Sequence, residues 1–305
     1  MRAVHFVLVL ALLSACSSTP ARTDGGGTTD TGPRADTGGG MDSGPVGTPV
    51  TIAQLVNAAD PAHPADATTV TVTGPVVALS PRLFISQSMT SGRCLFAIWV
   101  GTAAGGDYSG IEVVDSFAPM AGMDCFTTPP NLIPNTVLIG DAITTLAGRF
   151  MNFCPAGATC PTDTAQEISA TAFAVGAAGP PPTATDVAVA DIAGMGTTLG
   201  PRNMALQGAL VHLTGAVLQV APSAANFNVM MVSDGASSAP TIGINISRYV
   251  GVGCQRTALS AMTAGAAVGD ITGLLAFSFG QWVIQPRQGA DLPGVLCAAA
   301  DAGPG

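Results

Sequence analysis

Two stretches of this chain share one pattern, in which β-branched residues alternate with small or polar residues around a glycine. Residues 69–79 alternate and then become apolar after Gly74, and residues 208–218 show the same kind of run around Gly215. Alternation with a period of two predicts strands with one buried face, and a glycine inside such a run predicts a bend. The chain also has little helix-favouring composition, with only two glutamates and no lysine. We therefore expect an all-β fold.

The two stretches belong to a longer internal repeat. The matched segments are 50–55 with 187–192, 83–87 with 227–234, 110–114 with 242–246, and 139–150 with 268–277. Matched positions lie about 130 to 140 residues apart, which is too long for the units of a solenoid. The repeat therefore predicts a duplicated β domain.

Each half has about five predicted strands, a glycine-bent first strand, and a Gly-Asp turn before a late strand, at Asp141 and at Asp270. These features resemble the oligonucleotide/oligosaccharide-binding (OB) barrel. They are most similar to the barrel modules of extracellular bacterial nucleases and surface lipoproteins, in which the second half ends in a run like GQWVIQP at 280–286. In the first half, residues 154–160 interrupt this pattern, and Gln166, Glu167 and Ile168 only loosely replace the run. A β-sandwich predicts similar alternation and remains the alternative.

The predicted boundaries follow changes in composition. We expect a signal peptide at 1–15, a disordered tether at 16–47, a first OB-like domain at 48–178, a Pro-rich spacer at 179–186, a second OB-like domain at 187–297, and a disordered tail at 298–305. The tether consists largely of Gly, Thr, Asp, Ser and Pro, which cannot bury enough apolar surface to offset the entropy lost on ordering. The three prolines at 180–182 mark the spacer.

The N-terminus predicts export. Arg2 precedes an apolar run at 4–13, which at about ten residues is too short to span a bilayer. The residues that follow, Leu13, Ser14, Ala15 and Cys16, resemble the lipobox of bacterial lipoproteins. That resemblance implies a diacylglycerol on the thiol of Cys16 and cleavage before it. Ser17 at the next position favours the outer membrane over the inner one. A lipid-anchored protein of the cell envelope is therefore expected, with the membrane as one partner.

Six cysteines remain besides Cys16. They are Cys94, Cys125, Cys154, Cys160, Cys254 and Cys297. An even number in an oxidising compartment predicts disulfides, with fifteen possible pairings. Their order along the chain favours the bridges Cys94–Cys125, Cys154–Cys160 and Cys254–Cys297. A zinc site at Cys154 and Cys160 is the alternative, but no second close cysteine pair or neighbouring histidine completes it. No metal or other cofactor is expected.

Catalysis has little support in the sequence. Besides His5 of the signal peptide, the histidines are His63, in a Pro-rich loop, and His212, which alternation places on the face opposite Val211 and Leu213. No known nucleophile, metalloprotease or phosphate-loop motif occurs. Asp141 and Asp270 each follow a glycine and are interpreted as turn residues. We expect a non-enzymatic protein, and a hydrolase that uses His212 is an alternative.

Binding is the function that remains, directed at a protein or a glycan of the envelope. The net charge of −9 repels phosphate backbones, so nucleic acid is an unlikely partner. In OB-like barrels ligands lie across the second and third strands, where aromatic rings stack on them. The candidate rings are Trp99, Trp282, Phe84, Phe227 and Phe96, although each ring is also a candidate for core packing. The alternative is an accessory nucleic-acid-binding or extracellular-enzyme-associated module.

Overall fold

The computed structural model describes residues 47–153, 165–195, 198–223, 229–235, 240–246, 253–278 and 280–295. Several predictions concern residues outside these ranges: the signal peptide, the tether up to residue 46, lipidation of Cys16, the Cys154–Cys160 bridge, Cys297 as partner of Cys254, Phe227, and the tail. Strand accounts for 46% of the structure and helix for 9%, which confirms the predicted all-β class.

The first large sheet has eight strands. They are β1 (Thr48–Val50), β2 (Thr69–Val72), β3 (Val77–Ala78), β4 (Leu83–Gln87), β5 (Cys94–Gly101), β6 (Gly110–Phe117), β7 (Asp141–Phe153) and β8 (Ala165–Ala178). β7 pairs with β2 and β3 on one side and with β8 on the other. β3 pairs with β5, β5 with β6, and β6 in parallel with β8. The pairings therefore close a circuit of β3, β5, β6, β8 and β7.

The second large sheet has six strands. They are β9 (Thr185–Val187), β12 (Leu210–Val220), β13 (Val229–Asp234), β14 (Ile242–Asn245), β15 (Ala267–Ser278) and β16 (Gln281–Gln285). β12 pairs with β13 and β15, β13 with β14, β14 in parallel with β16, and β16 with β15, which closes a second circuit. β10 (Gly194–Met195) and β11 (Thr198–Leu199) form a separate two-stranded ribbon.

Short helices occupy similar places in the two sheets. α1 (Ile52–Val56) follows β1, and α2 (Val189–Ile192) follows β9; β1 and β9 each pair in parallel with the next long strand, β2 or β12. Thr51 caps α1 by accepting a hydrogen bond from the Gln54 amide. α3 (Gly253–Ala261) lies between β14 and β15, and a 3₁₀ turn spans Gly289–Asp291. The opening segments matched in the sequence are thus a strand and a helix in both cases.

One strand departs from the sequence comparison. β5 and β13 occupy equivalent places in the two circuits. β5 lies between β3 and β6, and β13 lies between β12 and β14. β4 pairs with β5 and continues the first strand past its bend. The match of 83–87 with 227–234 is therefore displaced by one strand.

Each circuit surrounds its own apolar core. In the first, Ile98, Val113 and Ile168 are fully buried and pack with Phe150. In the second, Val211 and Leu213 point into the core, as the alternation along β12 predicts. Burial of apolar side chains on one face of each strand gives both circuits their main stabilisation.

A disulfide and a buried carboxylate hold the long loop between β6 and β7. Cys94 and Cys125 are bonded with 5.5 Å between their Cα atoms, which confirms that predicted bridge. Asp115 is buried and accepts hydrogen bonds from the side chain of Asn131 and the backbone amides of Leu132 and Ile133. The loop is therefore fixed at two points against the end of the first core.

The two large sheets meet in a close contact, which we call the junction. A Cβ atom added to Gly110 would lie 2.2 Å from the carbonyl oxygen of Gly208, so only glycine fits there. Around this point one apolar cluster combines side chains of both sheets: Val77, Leu79, Leu83, Ala97, Trp99 and Val114 of the first, with Leu210, Leu274 and Ala276 of the second. Buried Arg287 forms an ion pair with Asp291 at 2.9 Å and donates to the Leu79 carbonyl oxygen, also at 2.9 Å.

Replacing both bridged cysteines, Cys94→Ser with Cys125→Ser, is expected to lower the free energy of unfolding by about 2–4 kcal/mol, because the unfolded chain loses its cross-link. Urea denaturation measures the change, and Ser116→Ala on the neighbouring strand is the control. Peptide mapping without reductant would contradict the pairing if it joined Cys94 to any cysteine other than Cys125.

Candidate binding cleft and buried carboxyl pair

A cleft of about 490 Å³ lies beside the junction. One wall comes from residues 56–59, His63, Tyr108, Asn152 and Gln166, and the other from Pro201, Met204 and Ala205. Clefts that hold small ligands commonly measure about 300–1,000 Å³ and combine apolar walls with a few polar groups. The cleft therefore has the size and lining of a small-molecule site.

His63 is fixed at the rim by two contacts. Its Nδ1 lies 3.1 Å from the carbonyl oxygen of Gln54, and its ring meets Phe150 edge-on with 5.3 Å between the ring centres. Because a carbonyl only accepts hydrogen bonds, Nδ1 is the donor in this contact, and Nε2 is the ring nitrogen left for other contacts. The sequence placed His63 in a loop but gave no sign that it lines a cleft.

Tyr108 has an unusual backbone conformation. Its φ of 60° lies in the left-handed region, which costs energy for a residue with a side chain. Contacts with the segment that precedes β12 hold Tyr108 in this conformation. The Tyr108 amide donates to the Ala205 carbonyl, and the neighbouring Asp107 pairs with Arg202 at 2.6 Å. The position of this phenol ring therefore depends on the junction.

Hydrogen bonds hold the two cleft residues Asn152 and Gln166 in place. The Asn152 backbone amide donates to Asp66 at 2.8 Å, which fixes the strand end that carries its side chain. Gln166 donates through its backbone amide to Gln207 Oε1 at 3.0 Å and accepts from Gln207 Nε2 at 2.7 Å. Among the described residues, the lining contains no acidic or permanently basic side chain. The cleft thus offers neutral donors and acceptors.

The two glutamates of the chain face each other at the junction. Glu112 on β6 and Glu167 on β8 are register partners, and Trp99 on β5 is the partner of Glu112 on its other side. Burial, and next the negative charge of Glu112, raise the pKa of Glu167 from the ordinary 4.5 to about 8. At neutral pH the Glu167 carboxyl therefore keeps its proton.

A small void adjoins Glu112. Its lining includes Glu112, Trp99 and Gln166 from the first sheet, with Phe277 and Trp282 from the second. Its volume is about 10 Å³, which is room for about one water molecule. The indole Nε1 of Trp282 is buried there without a hydrogen-bond partner among the described residues. The void therefore brings polar groups next to the apolar side chains of the junction.

The aromatic residues proposed for stacking lie mainly in packed regions. Trp99 and Trp282 are only 1% and 2% exposed, and Trp99 belongs to the cluster with Leu274 and Ala276 that covers the outer face of β5 and β6. Phe96 is buried, and half-buried Phe84 packs against it and against Phe126. Neither indole offers an open face to a ligand, because the second sheet covers Trp99 and because Trp282 packs in the core of the second sheet.

His212 and the two Gly-Asp pairs have structural contacts. Nδ1 of His212 lies 3.0 Å from the Thr272 hydroxyl on the facing strand. Asp141 accepts from the Leu138 amide at 2.8 Å, as a turn residue does. Asp270 accepts from the Gly215 amide at 2.9 Å and so holds the bend of β12. None of these residues lines the cleft.

Exposed apolar side chains gather on two loops near the disulfide. Met89, at the tip between β4 and β5, is 88% exposed, and Phe126, next to Cys125, is 69% exposed. Met120 and Met123 on the same loop as Phe126 are also exposed. These four residues form what we call the methionine patch.

The residues that the structure describes contain no group of three or more His, Cys, Asp or Glu side chains placed to hold a metal ion. None of their helices has both the length and the apolar character needed to cross a bilayer.

Comparison of the chain with known protein families and with curated proteins finds no matching family and no curated protein of significant similarity. Function is therefore inferred from the cleft and the carboxyl pair themselves.

The free energy of unfolding is expected to fall as the pH rises from 4.5 to about 8. In this range folded Glu167 keeps a proton that the unfolded chain releases, so rising pH favours the unfolded chain, and the loss is complete above the folded pKa. Glu167→Gln should remove this contribution and be more stable than the wild type at pH 8 by roughly 2 kcal/mol, less than the full shift implies because water reaches part of the side chain.

Urea denaturation at pH 5, 6.5 and 8 measures the effect, with the exposed carboxylate variant Asp186→Asn as the control. A Glu167→Gln protein with the same pH slope as the wild type would contradict the assignment.

Proposed function

We propose that this chain is a non-catalytic, lipid-anchored envelope protein whose two OB-like barrels bind a saccharide unit of an envelope glycan in the cleft between them. The observation that carries the proposal is a cleft of about 490 Å³, in which neutral hydrogen-bonding side chains of the first part of the chain face an apolar wall of Pro201, Met204 and Ala205.

Strand pairing supports OB-like barrels over the sandwich alternative. In each circuit the first strand pairs with the second and the fourth, and the third pairs in parallel with the fifth. A five-stranded sheet that closes on itself in this order is the arrangement of an OB barrel, whereas a sandwich keeps two separate sheets. The strand-and-helix opening of each circuit supports a tandem duplication.

The chemistry of the cleft favours a sugar. Hydroxyl groups both donate and accept hydrogen bonds, and the exposed side-chain amide of Asn152 offers both functions. Tyr108 adds an aromatic surface for the apolar face of a sugar ring, and His63 adds its ring nitrogen Nε2. A neutral lining does not attract ions, so a neutral saccharide fits better than a charged ligand.

The nucleic-acid alternative has less support. The second sheet covers the face of β5 and β6 that would carry bases, and a net charge of −9 repels phosphates.

A protein partner is the second candidate. It is favoured by the methionine patch, because flexible methionine side chains with an exposed phenylalanine suit a protein contact.

The anchor follows from the sequence alone. Cys16 would lie about thirty residues before Gly47, where the described structure begins. A flexible segment of this length and composition spans about 30 Å on average. The barrels would thus stand clear of the membrane while remaining close to envelope glycans.

Isothermal titration calorimetry with chitotriose, maltotriose and a soluble peptidoglycan fragment tests the binding proposal. We expect one of them to bind, and Asn152→Ala to weaken binding about tenfold, the effect of losing roughly one hydrogen bond. Gln87→Ala, an exposed amide outside the cleft, is the control. Binding of oligothymidine that weakens steeply with salt, with no saccharide bound, would overturn the proposal in favour of nucleic acid.

Cys16→Ser is expected to release the protein from membranes. The wild type should remain in the membrane fraction until detergent is added, and its mature N-terminus should be an acylated Cys16, detected by mass spectrometry. Ser17→Ala keeps the thiol and serves as the control. A wild-type protein that is soluble without detergent and begins at another residue would exclude the anchor.

A further inference from the structure

The two walls of the cleft differ in chemical character. One wall presents the polar side chains of His63 and Asn152. The other wall consists of Pro201, Met204 and Ala205, which have no polar group in their side chains apart from the weakly polar thioether. Among the described lining residues, none is acidic and none is permanently basic. A ligand that matches both walls is therefore neutral and carries a hydrogen-bonding group close to an apolar group.

Asn152 carries the polar group that is most available to such a ligand. Its side chain is exposed at the cleft, and the hydrogen bond that fixes the residue involves its backbone amide. The other two amides of the lining have partners within the protein, because Gln166 is bonded to Gln207 and the Asn57 Oδ1 accepts from the Ala59 amide. Asn152 therefore offers a ligand a donor, Nδ2, and an acceptor, Oδ1.

The apolar wall is held in place from behind. Met204 is half-buried and packs against the core of the second sheet, and the Ala205 carbonyl oxygen accepts from the Tyr108 amide. The part of this wall that faces the cleft is apolar surface in contact with solvent. Covering such surface with an apolar group of a ligand is favourable, because it removes that surface from water.

We propose that the cleft recognises the acetamido group of an N-acetylhexosamine, an inference that deepens the proposed saccharide function and rests on it. Nδ2 of Asn152 donates to the acetamido carbonyl oxygen, and Oδ1 accepts from the neighbouring hydroxyl of the sugar. The acetamido methyl group packs against Met204 and Ala205. Binding is non-covalent, and no bond forms or breaks.

The same two walls discriminate against the closest relatives of this sugar. A plain hexose has a hydroxyl group in place of the acetamido group, so it leaves the apolar wall uncovered. A hexosamine without the acetyl group has an ammonium there, which would lose hydration beside an apolar wall with no carboxylate in the lining to pair with it.

The charged groups near the cleft do not change this argument. Asp107 forms its ion pair with Arg202 at 2.6 Å. Asp66 accepts from the Asn152 backbone amide at 2.8 Å but does not belong to the lining. An acetamido group is neutral and has both a polar and an apolar part, so it matches the cleft better than a hydroxyl or an ammonium.

Three trisaccharides of the same length and linkage test the inference, because they differ only in this substituent. Chitotriose carries acetamido groups, cellotriose carries hydroxyl groups, and the glucosamine trimer carries ammonium groups at pH 6. Isothermal titration calorimetry with the full-length protein in detergent should show that chitotriose binds about tenfold or more tightly than either of the others. This factor corresponds to one hydrogen bond and one buried methyl group.

Asn152→Asp tests the role of the amide with little change of shape. The variant loses the donor Nδ2 and gains a negative charge, so it should bind chitotriose about tenfold more weakly and the glucosamine trimer more tightly than the wild type does. Asn135→Asp is the matched control, since Asn135 is an exposed amide outside the cleft. All three affinities should stay unchanged in this control.

Met204→Gln tests the apolar wall with a polar side chain of similar length. The ratio of chitotriose affinity to cellotriose affinity should fall by about threefold or more, because the methyl group loses its apolar contact. Circular dichroism checks that the variant is folded, and Asn152→Asp keeps the inference testable if it is not.

The outcomes separate this inference from the proposed function. Equal binding of chitotriose and cellotriose would overturn the acetamido assignment and leave the saccharide function in place. Binding of none of the saccharides would refute both. A chitotriose preference that persists unchanged in Asn152→Asp and Met204→Gln would place the selectivity outside the cleft and would also overturn the assignment.

Peptidoglycan and neutral envelope polysaccharides both carry acetamido groups. Chitobiose and the disaccharide of N-acetylglucosamine with N-acetylmuramic acid distinguish these sources, because only the second has a carboxylate. Binding of the muramyl disaccharide as tight as that of chitobiose supports the assignment with peptidoglycan as the source. Weaker binding of the muramyl disaccharide supports the assignment with a neutral glycan as the source, in agreement with the neutral lining.

Discussion

The close approach of Gly110 and Gly208 is the contact on which the rest of the arrangement depends. With 2.2 Å between a Cβ at Gly110 and the Gly208 carbonyl, any side chain there would force the two sheets apart. Because the backbones meet, Trp99 and Val114 pack directly against Leu274. The same approach brings Phe277 and Trp282 of the second sheet beside the small void that Glu112 lines.

This contact also changes which surface is open to a ligand. In an OB-like barrel the outer face of the second and third strands would receive the ligand, and here that face packs inside the molecule. The open concave surface lies beside the junction, where His63 and Tyr108 approach Met204. Neither sheet alone forms both walls of this cleft, so any ligand that fills it would contact both parts of the chain.

The sequence predicted features that depend on local pattern. Period-two alternation placed Val211 in the core, glycines marked the bends at Gly74 and Gly215, and cysteine order identified Cys94–Cys125. β5 was missed because its run is almost continuously apolar and does not alternate. The cleft could not be predicted, because alternation assigns a residue to a face but does not say what covers that face. Trp99 shows this most clearly, since its outward face is buried by strands more than a hundred residues away.

The carboxyl pair illustrates a more general property of a closed sheet. The first circuit of strands closes through a parallel pairing of strands distant in sequence, β6 and β8, and residues in register on those strands must share a face. If either glutamate were alanine, the pairing of β6 with β8 would not place two carboxyl groups side by side. Successive residues point to opposite faces, so Gln166 and Glu167 send one amide and one carboxyl to different sides of the same strand. β8 pairs with β6 on one edge and with β7 on the other. Gln166 and Glu167 are neighbours on this strand, so a displacement of the backbone at one of them moves the other. The strand that closes the first circuit is therefore also the element that carries both Gln166 of the cleft and Glu167.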